Sequence, residues 1–144
     1  MATERRAEVT WSGDLMSGSG TIDKVGTGAF GPLDVSWPAR TEDPEAGKTS
    51  PEELIAAAHA SCFSMSLAHG LAQGGNPPER LSTSATVTFV PGTGITKIVL
   101  AVRGAVPGLD DAGFREAAEV AKANCPVSKA LAGVGEIALD AALG

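Results

Sequence analysis

Short runs of alternating apolar and polar residues, separated by glycines, fill the first forty positions of the chain. Such a pattern is typical of β-strands joined by tight turns. Residues 7–11 and 19–23 flank a glycine-containing turn and predict a hairpin. Residues 33–37 alternate apolar side chains on one side and predict a third strand. The polar segment 41–48, which contains proline and glycine, predicts a loop.

A long apolar helix is the strongest local prediction. Ser50 is placed as the N-cap, Pro51 as the first helical residue, and Glu53 as the partner in a capping box. The run LIAAAHASCFSMSLAHGLA follows, and the sequence GGNPP at 74–78 contains strong helix-ending residues. We therefore expect a helix from Pro51 to about Ala72.

The faces of this helix suggest an oligomer. Between its ends it carries almost no charge, and small or apolar residues occupy nearly every face. A helix with that composition is expected to be buried all round. With some 22 residues it is about 33 Å long, which is difficult for a chain of 144 residues to cover alone. Partner chains would supply the missing cover.

The second half of the chain predicts two more long strands, a helix and a final strand. The strands are expected at 81–90 and 95–106, with a hairpin turn between them. A helix begins at Asp110 or Asp111, breaks at Asn124-Cys125-Pro126, and is followed by a short helix, PVSKAL, and the strand VGEIALDAAL. Because the strands come in groups, we expect an α+β fold in one domain spanning 1–144.

Charge and composition exclude several classes of protein. The formal net charge is −6 and the pI is near 4.8, whereas a nucleic-acid-binding surface needs a basic footprint. No stretch is expected to reach the roughly 20 apolar residues of a membrane span. The N-terminus, MATERRAEVT, lacks the apolar core of a signal peptide. We therefore expect a cytoplasmic protein, in which cysteines are reduced, catalytic or metal-bound rather than a structural disulfide.

Cys62 and Cys125 are the two cysteines of the chain. Free cysteines often merely pack in the core, and this interpretation stays open for both. Cys125, however, precedes a proline at a predicted helix start, where unpaired N–H groups favour a thiolate. Cys62 lies halfway along the helix that we expect at an interface. These two positions make a nucleophilic role the alternative.

A metal site is a further interpretation, since two cysteines and two histidines have the right count. Their spacing argues against it, because structural zinc sites usually take ligands in close pairs. His59 lies three residues before Cys62 and shares its helix face. His59 is either a helper of the thiolate or a packed core histidine, and we favour the second. His69 is expected to be exposed near the helix end.

Glu52 and Arg40 could assist a nucleophilic thiol. Glu52 is the spare carboxylate of the first helical turn, ten residues before Cys62 and about 15 Å from it along a straight axis. It would therefore serve the thiol of a partner subunit, or act through a bend. Arg40 ends a predicted strand at the edge of a loop. Such an arginine is usually just solvated, but beside a thiol it would lower the thiol pKa and hold a thiolate.

Two long segments resemble the cysteine motifs of a known family. TSPEELIAAAHASCFSMSLAHGL and KANCPVSKAL are similar to those of the OsmC/Ohr family, the osmotically inducible and organic-hydroperoxide-resistance proteins of bacteria. The resemblance covers nearly the whole chain, including TWSGDL, ITKI and VPGLD, and the run HASCFSM is closer to the OsmC branch. It implies an intertwined homodimer with two long central helices packed against antiparallel sheets.

The resemblance also implies a thiol peroxidase that reduces organic hydroperoxides to alcohols. Cys62 matches the peroxidatic cysteine, Cys125 the resolving cysteine, Glu52 the active-site glutamate, and Arg40 the arginine of the OsmC branch. Cys62 would become a sulfenic acid and form a disulfide with Cys125, which a dithiol, in this family often a lipoyl group, would reduce. No metal or other cofactor is implied. Two alternatives stay open: a stoichiometric redox sensor, and an apolar-ligand carrier whose cysteines only pack.

Overall fold

The computed structural model describes residues 1–42 and 47–144. It divides into two compact units, Met1–Leu54 and Ile55–Gly144. Part of the predicted loop at 41–48 falls on 43–46 and so lies outside the described residues. The prediction of a single domain stays a prediction.

The first unit is built on a four-stranded sheet in the order β1-β2-β3-β4. Its strands are β1 (Ala7–Ser12), β2 (Ser19–Val25), β3 (Leu33–Val35) and β4 (Lys48–Thr49). β1 and β2 form the predicted antiparallel hairpin, and β3 continues it antiparallel, while β4 joins β3 in parallel. The hairpin prediction is therefore confirmed, and β4 is an addition.

The third predicted strand ends earlier than expected, and a short helix replaces its last residues. β3 stops at Val35, and α1 (Trp37–Thr41) follows. The Ser36 hydroxyl accepts a hydrogen bond from the Ala39 N–H at 3.2 Å, and Pro38 lies in the first turn. An N-cap serine and an early proline are both typical of a helix start. The prediction that Arg40 lies at the end of a strand is therefore wrong, because Arg40 lies on α1.

The long helix α2 (Pro51–Gln73) has the predicted bounds. The Ser50 hydroxyl accepts a hydrogen bond from the Glu53 N–H at 3.2 Å, as an N-cap does. The Glu53 carboxylate accepts from the Thr49 hydroxyl at 2.8 Å. At the other end Gly75 adopts a φ of 87°, and the next N–H, that of Asn76, bonds to the Leu71 carbonyl at 2.9 Å. A glycine with positive φ is the usual way to end a helix.

A single chain buries only one face of α2. The sequence predicted burial on all faces, with partner chains covering the rest. Buried residues recur every four positions beyond the first turn: His59, Phe63, Leu67 and Leu71. Other positions on the helix are exposed and carry small or apolar residues: Ala57, Ser61, Met65 and Ala72. Met65 is 72% exposed. Within one chain, α2 therefore presents an uncovered face with no charged side chain in its middle.

By length and composition α2 is also apolar enough to cross a membrane. Its 23 residues include an 18-residue window with a mean hydropathy of 1.3. The expectation that no stretch approaches this size is therefore wrong. One such helix is weak evidence for a membrane span, because a helix buried in the core of a soluble assembly has the same composition.

The second unit contains a three-stranded sheet in the order β5-β6-β7. Its elements are β5 (Arg80–Val90), β6 (Gly94–Ala105), α3 (Asp111–Asn124), α4 (Pro126–Ala130) and β7 (Glu136–Leu143). β5 and β6 form the predicted hairpin, and β7 pairs with β6 in parallel. Asp110 caps α3 by accepting from the Gly113 N–H at 2.8 Å. The α+β prediction is confirmed.

The core of the second unit lies between this sheet and the helices. Alternate residues of β6, namely Ile98, Leu100 and Val102, are completely buried, as their period of two predicted. Phe114 of α3 packs over Gly104, where an added Cβ would lie 2.6 Å from its ring. The same cluster includes Phe63, Leu67 and Cys125, and Cys62 packs against it. The core therefore extends to both sulfur atoms.

Candidate active site

Arg40 and Glu52 form a tight ion pair in the first unit. Arg40 Nε lies 2.9 and 3.1 Å from the two carboxylate oxygens of Glu52, and Nη2 lies 2.8 Å from Oε1. The guanidinium also lies 5.8 Å from the centre of the Trp37 ring. Glu52 is only 6% exposed and lies in the first turn of α2, where the helix dipole favours a carboxylate. Two-point pairing of this kind fixes the orientation of the guanidinium.

Cys62 and Cys125 come together in the second unit. Cys62 lies halfway along α2 and is partly buried, whereas Cys125 lies between α3 and α4 and is completely buried. Cys125 belongs to the buried core cluster against which Cys62 packs, and each of the two thiols affects the pKa of the other. The structure therefore brings the two cysteines together, and it separately brings Arg40 and Glu52 together.

The surroundings of Cys62 disfavour its thiolate. Burial raises the pKa of the Cys62 thiol, and the neighbouring Cys125 raises it further, while the Val127 N–H partly offsets both. From the sequence we expected a cation, Arg40, to lower the pKa of Cys62. Within residues 55–144, no cation is among the groups that shift this pKa. A thiolate at Cys62 needs a positive charge from another source.

The surroundings of Cys125 favour its thiolate instead. Burial alone raises the pKa of Cys125, but four groups together lower it below its ordinary value: the Ser128 N–H, the Cys62 thiol, the Ser128 hydroxyl and the Val127 N–H. Two of these are N–H groups at the start of α4. This direction agrees with the prediction from the sequence that the helix start after Cys125 favours a thiolate.

His59 is a buried histidine, as favoured from the sequence. It is completely buried, and its Nε2 lies 2.7 Å from the Ser128 hydroxyl oxygen. Across residues 1–42 and 47–144, its Nδ1 has no hydrogen-bond partner. Burial lowers the pKa of His59, so the ring is neutral at neutral pH. Sequence reasoning missed Ser128, because 69 residues separate it from His59 and nothing in its neighbourhood marks it.

The remaining candidate features lie apart from the thiols. His69 is exposed, as expected. In the part of the chain that the structure describes, no three His, Cys, Asp or Glu side chains are grouped so as to hold a metal ion. A cavity of about 510 Å³ lies between α2 and α3, with Ser66, Ala117 and Val120 among its lining residues. Neither cysteine is among the described residues that line it, so we do not assign this cavity to the thiols.

Three of the known proteins that this chain matches are similar to it over nearly its whole length. The chain is 40% identical over 143 residues to Peroxiredoxin OsmC of Escherichia coli, covering 97% of this chain and 96% of that protein. An organic hydroperoxide resistance protein from Elizabethkingia anophelis superimposes with a TM-score of 0.73 at 22% identity, covering all of both chains. OsmC from Legionella pneumophila gives 0.68 at 24% identity, covering 95% and 96%.

The two solved structures, at this level of identity, establish the fold alone. The sequence matches carry the assignment further, because residues 43–139 also match the family model described as OsmC-like protein. The full-length identity and the family match agree with the two cysteine segments that first suggested the resemblance. The chain therefore belongs to the OsmC-like protein family.

Proposed function

We propose that this protein is a cysteine-based peroxidase that reduces organic hydroperoxides to alcohols. The observation that carries the proposal is that Cys62 and Cys125 lie at the same core cluster, close enough to affect each other's pKa. A cysteine oxidised to a sulfenic acid condenses with a nearby thiol, and here the second thiol is already in place. The relative from Escherichia coli is named a peroxiredoxin, which supports the same chemistry.

The reaction proceeds in three steps. The Cys62 thiolate attacks the distal oxygen of the hydroperoxide, the O–O bond breaks, and the alcohol leaves while Cys62 becomes a sulfenic acid. Cys125 then attacks the Cys62 sulfur, forming a disulfide and releasing water. A dithiol, which we propose to be a free or protein-bound lipoyl group, reduces this disulfide by thiol–disulfide exchange. Such a cycle fits a reducing compartment, and we place the protein in the cytoplasm.

Arg40 supplies the positive charge that Cys62 needs, and Glu52 holds the guanidinium in place. Burial raises the pKa of Cys62, so an adjacent cation would restore its thiolate. Ten helical residues separate Glu52 from Cys62, about 15 Å of rise, so we assign each ion pair to the thiol of a second subunit. The uncovered face of α2 supports a homodimer, because small and apolar residues there need a partner.

The preference for organic hydroperoxides follows from the apolar surroundings of Cys62. Its side chain packs against the core cluster that includes Phe63 and Leu67. Met65, about one turn further along α2, is exposed and extends this apolar surface. An alkyl group buried there would gain about 25 cal/mol for each Å² removed from water. Hydrogen peroxide has no such group and should be a poorer substrate.

The first experiment follows the consumption of cumene hydroperoxide with dihydrolipoamide in excess, and of hydrogen peroxide in parallel. The wild-type protein is expected to turn over many times with the organic peroxide and more slowly with hydrogen peroxide. Cys62→Ser should abolish turnover, and Cys125→Ser should consume about one equivalent of peroxide and then stall, because the sulfenic acid cannot be resolved. Ser61→Ala, at an exposed neighbouring position, is the matched control and should remain active.

Several results would contradict this proposal. Full multiple-turnover activity in Cys62→Ser would exclude Cys62 as the nucleophile. A single stoichiometric burst in the wild-type protein, ending in a Cys62–Cys125 disulfide with every dithiol tried, would indicate a sensor rather than an enzyme. Two unreactive thiols and no peroxide consumption would indicate a binding protein.

A further inference from the structure

His59 and Ser128 form a buried polar pair that the proposed reaction does not use. His59 Nε2 lies 2.7 Å from Ser128 Oγ, and the two residues are 0% and 8% exposed. Their surroundings are the apolar core of the second unit, which includes Phe63 and Leu67. Placing polar groups in such a core has a free-energy cost that apolar residues of similar size would avoid. The pair therefore calls for a role other than packing.

Ser128 connects His59 to the thiols. It lies on α4, three residues after Cys125, and its N–H and its hydroxyl both lower the pKa of Cys125. Cys125 in turn interacts with Cys62. The four side chains of His59, Ser128, Cys125 and Cys62 thus form one contiguous series inside residues 55–144.

The direction of the hydrogen bonds follows from the donors available. The Ser128 hydroxyl lowers the pKa of Cys125, so in the arrangement that we infer its single proton is directed to the sulfur. Its oxygen is then the acceptor in the contact with His59, and the neutral imidazole must carry its proton on Nε2. Nδ1, which has no partner among the described residues, carries a lone pair in this tautomer. In the inferred arrangement, His59 donates to Ser128 and Ser128 donates to Cys125.

Building on the proposed peroxidase, we propose that His59 is a positioning residue for the disulfide-forming step. Acting through its bond to Ser128, it holds the serine hydroxyl on the Cys125 sulfur and so favours the attacking thiolate. A freely rotating hydroxyl would offer this hydrogen bond only part of the time. Within the described residues, His59 has its hydrogen bond to Ser128 and none to Cys62.

The chemical step balances without any further reactant. The Cys125 thiolate forms an S–S bond to the Cys62 sulfur, and the S–O bond of the sulfenic acid breaks. The departing hydroxide takes up one proton, equal to the one that Cys125 lost, and leaves as water. The Cys62 sulfur is reduced from sulfenic acid to disulfide, and the Cys125 sulfur is oxidised from thiol to disulfide.

The first test measures the ionisation of Cys125 directly and needs no peroxide. In the Cys62→Ser background, the ultraviolet absorbance of the thiolate is followed against pH. His59→Leu and Ser128→Ala should each raise the pKa of Cys125, and a shift of about one unit would mean roughly tenfold less thiolate near neutral pH. The double substitution His59→Leu/Ser128→Ala should add little beyond either single change, because both break one series of bonds.

The second test separates the two oxidative steps with Cys62 intact. Rapid mixing with cumene hydroperoxide resolves the formation of the sulfenic acid from its conversion to the disulfide. His59→Leu should slow disulfide formation about tenfold more than it slows sulfenic acid formation. His59→Gln, which keeps a side-chain N–H donor, should recover much of the loss. His69→Leu, at the exposed histidine of α2, is the control and should leave the ratio of the two steps unchanged.

The outcomes separate this inference from the proposed function. An unchanged pKa of Cys125 in both single variants would overturn it. A purely structural role would also overturn it. In that case His59→Leu would slow sulfenic acid formation and disulfide formation equally and lower the melting temperature, and His59→Gln would recover nothing. Failure of Cys62 to react with any peroxide would refute the peroxidase, while the thiolate titration would still decide whether His59 acts on Cys125.

Discussion

At the scale of single residues, the buried carboxylate of Glu52 depends on Arg40 for its charge compensation. It is 6% exposed, and three contacts of 2.8–3.1 Å join it to Arg40. A buried charge that loses its partner is far more costly than a well-packed neutral group in the same place. The pair therefore has a stability signature that can be measured without knowing any substrate.

Arg40→Ala is expected to destabilise the protein by about 2–4 kcal/mol, because it leaves Glu52 buried and unpaired. Adding Glu52→Gln should recover part of that loss, since an amide tolerates burial better than a charge. Urea unfolding measures both. Lys97→Ala is the control, because Lys97 and Glu136 form an exposed pair that should contribute less than about 1 kcal/mol. A double variant less stable than Arg40→Ala would contradict this account.

The residue scale also shows what the sequence could predict about the site. The two cysteine segments were long enough for the family resemblance to point to Cys62 and Cys125 as partners, and the structure brings them together. The sequence also indicated that the helix start after Cys125 favours a thiolate there, but it did not indicate that burial raises the pKa of Cys62. Burial of Cys125 opposes its thiolate, whereas the N–H and the hydroxyl of Ser128 favour it, and both effects depend on how α4 packs.

At the scale of elements, predictability followed length and local capping. α2 was predicted to within a residue because a serine cap, a proline and a glycine-rich end mark it. α1 and β4 were missed, since five and two residues are too few to show a period. β4 forms through pairing with β3, and nothing in the local sequence predicts that pairing.

The packing of α3 on β6 requires a glycine. A Cβ at Gly104 would lie 2.6 Å from two atoms of the Phe114 ring, which is itself completely buried. We expect Gly104→Ala to destabilise the protein by about 1–3 kcal/mol, because the ring must shift in a close-packed core. Thermal and urea unfolding measure the change.

Gly133→Ala is the control for this substitution, since nothing lies within 4 Å of a Cβ added at Gly133. It should change stability by less than about 0.5 kcal/mol. Equal effects of the two substitutions would show that the contact with Phe114 is not the cause.

At the scale of the whole molecule, the uncovered face of α2 is the feature that supports the proposed homodimer. The long helix carries small or apolar residues on the face that one chain leaves exposed, with Met65 at 72% exposure. Exposed apolar surface of this kind marks a site of association. The sequence predicted the need for a partner from composition alone, because it showed more apolar helix than one chain could cover.

Met65→Glu is expected to weaken the homodimer by a hundredfold or more, on the order of 3 kcal/mol, because each subunit would bury a carboxylate. Sedimentation velocity across a range of protein concentrations measures the shift toward monomer. Met65→Leu keeps the apolar face and should remain dimeric. Wild-type protein that is monomeric at every concentration would contradict the homodimer itself.

The parallel pairing of β7 with β6 has a consequence for biosynthesis. β6 pairs with β5 across a short turn, but its other edge pairs with a strand that is translated only after α3 and α4. Until β7 docks, the folding chain leaves that edge of β6 open, and an open β-edge is a template for aggregation. Aggregation during biosynthesis therefore competes with the docking of β7, the last strand to be made.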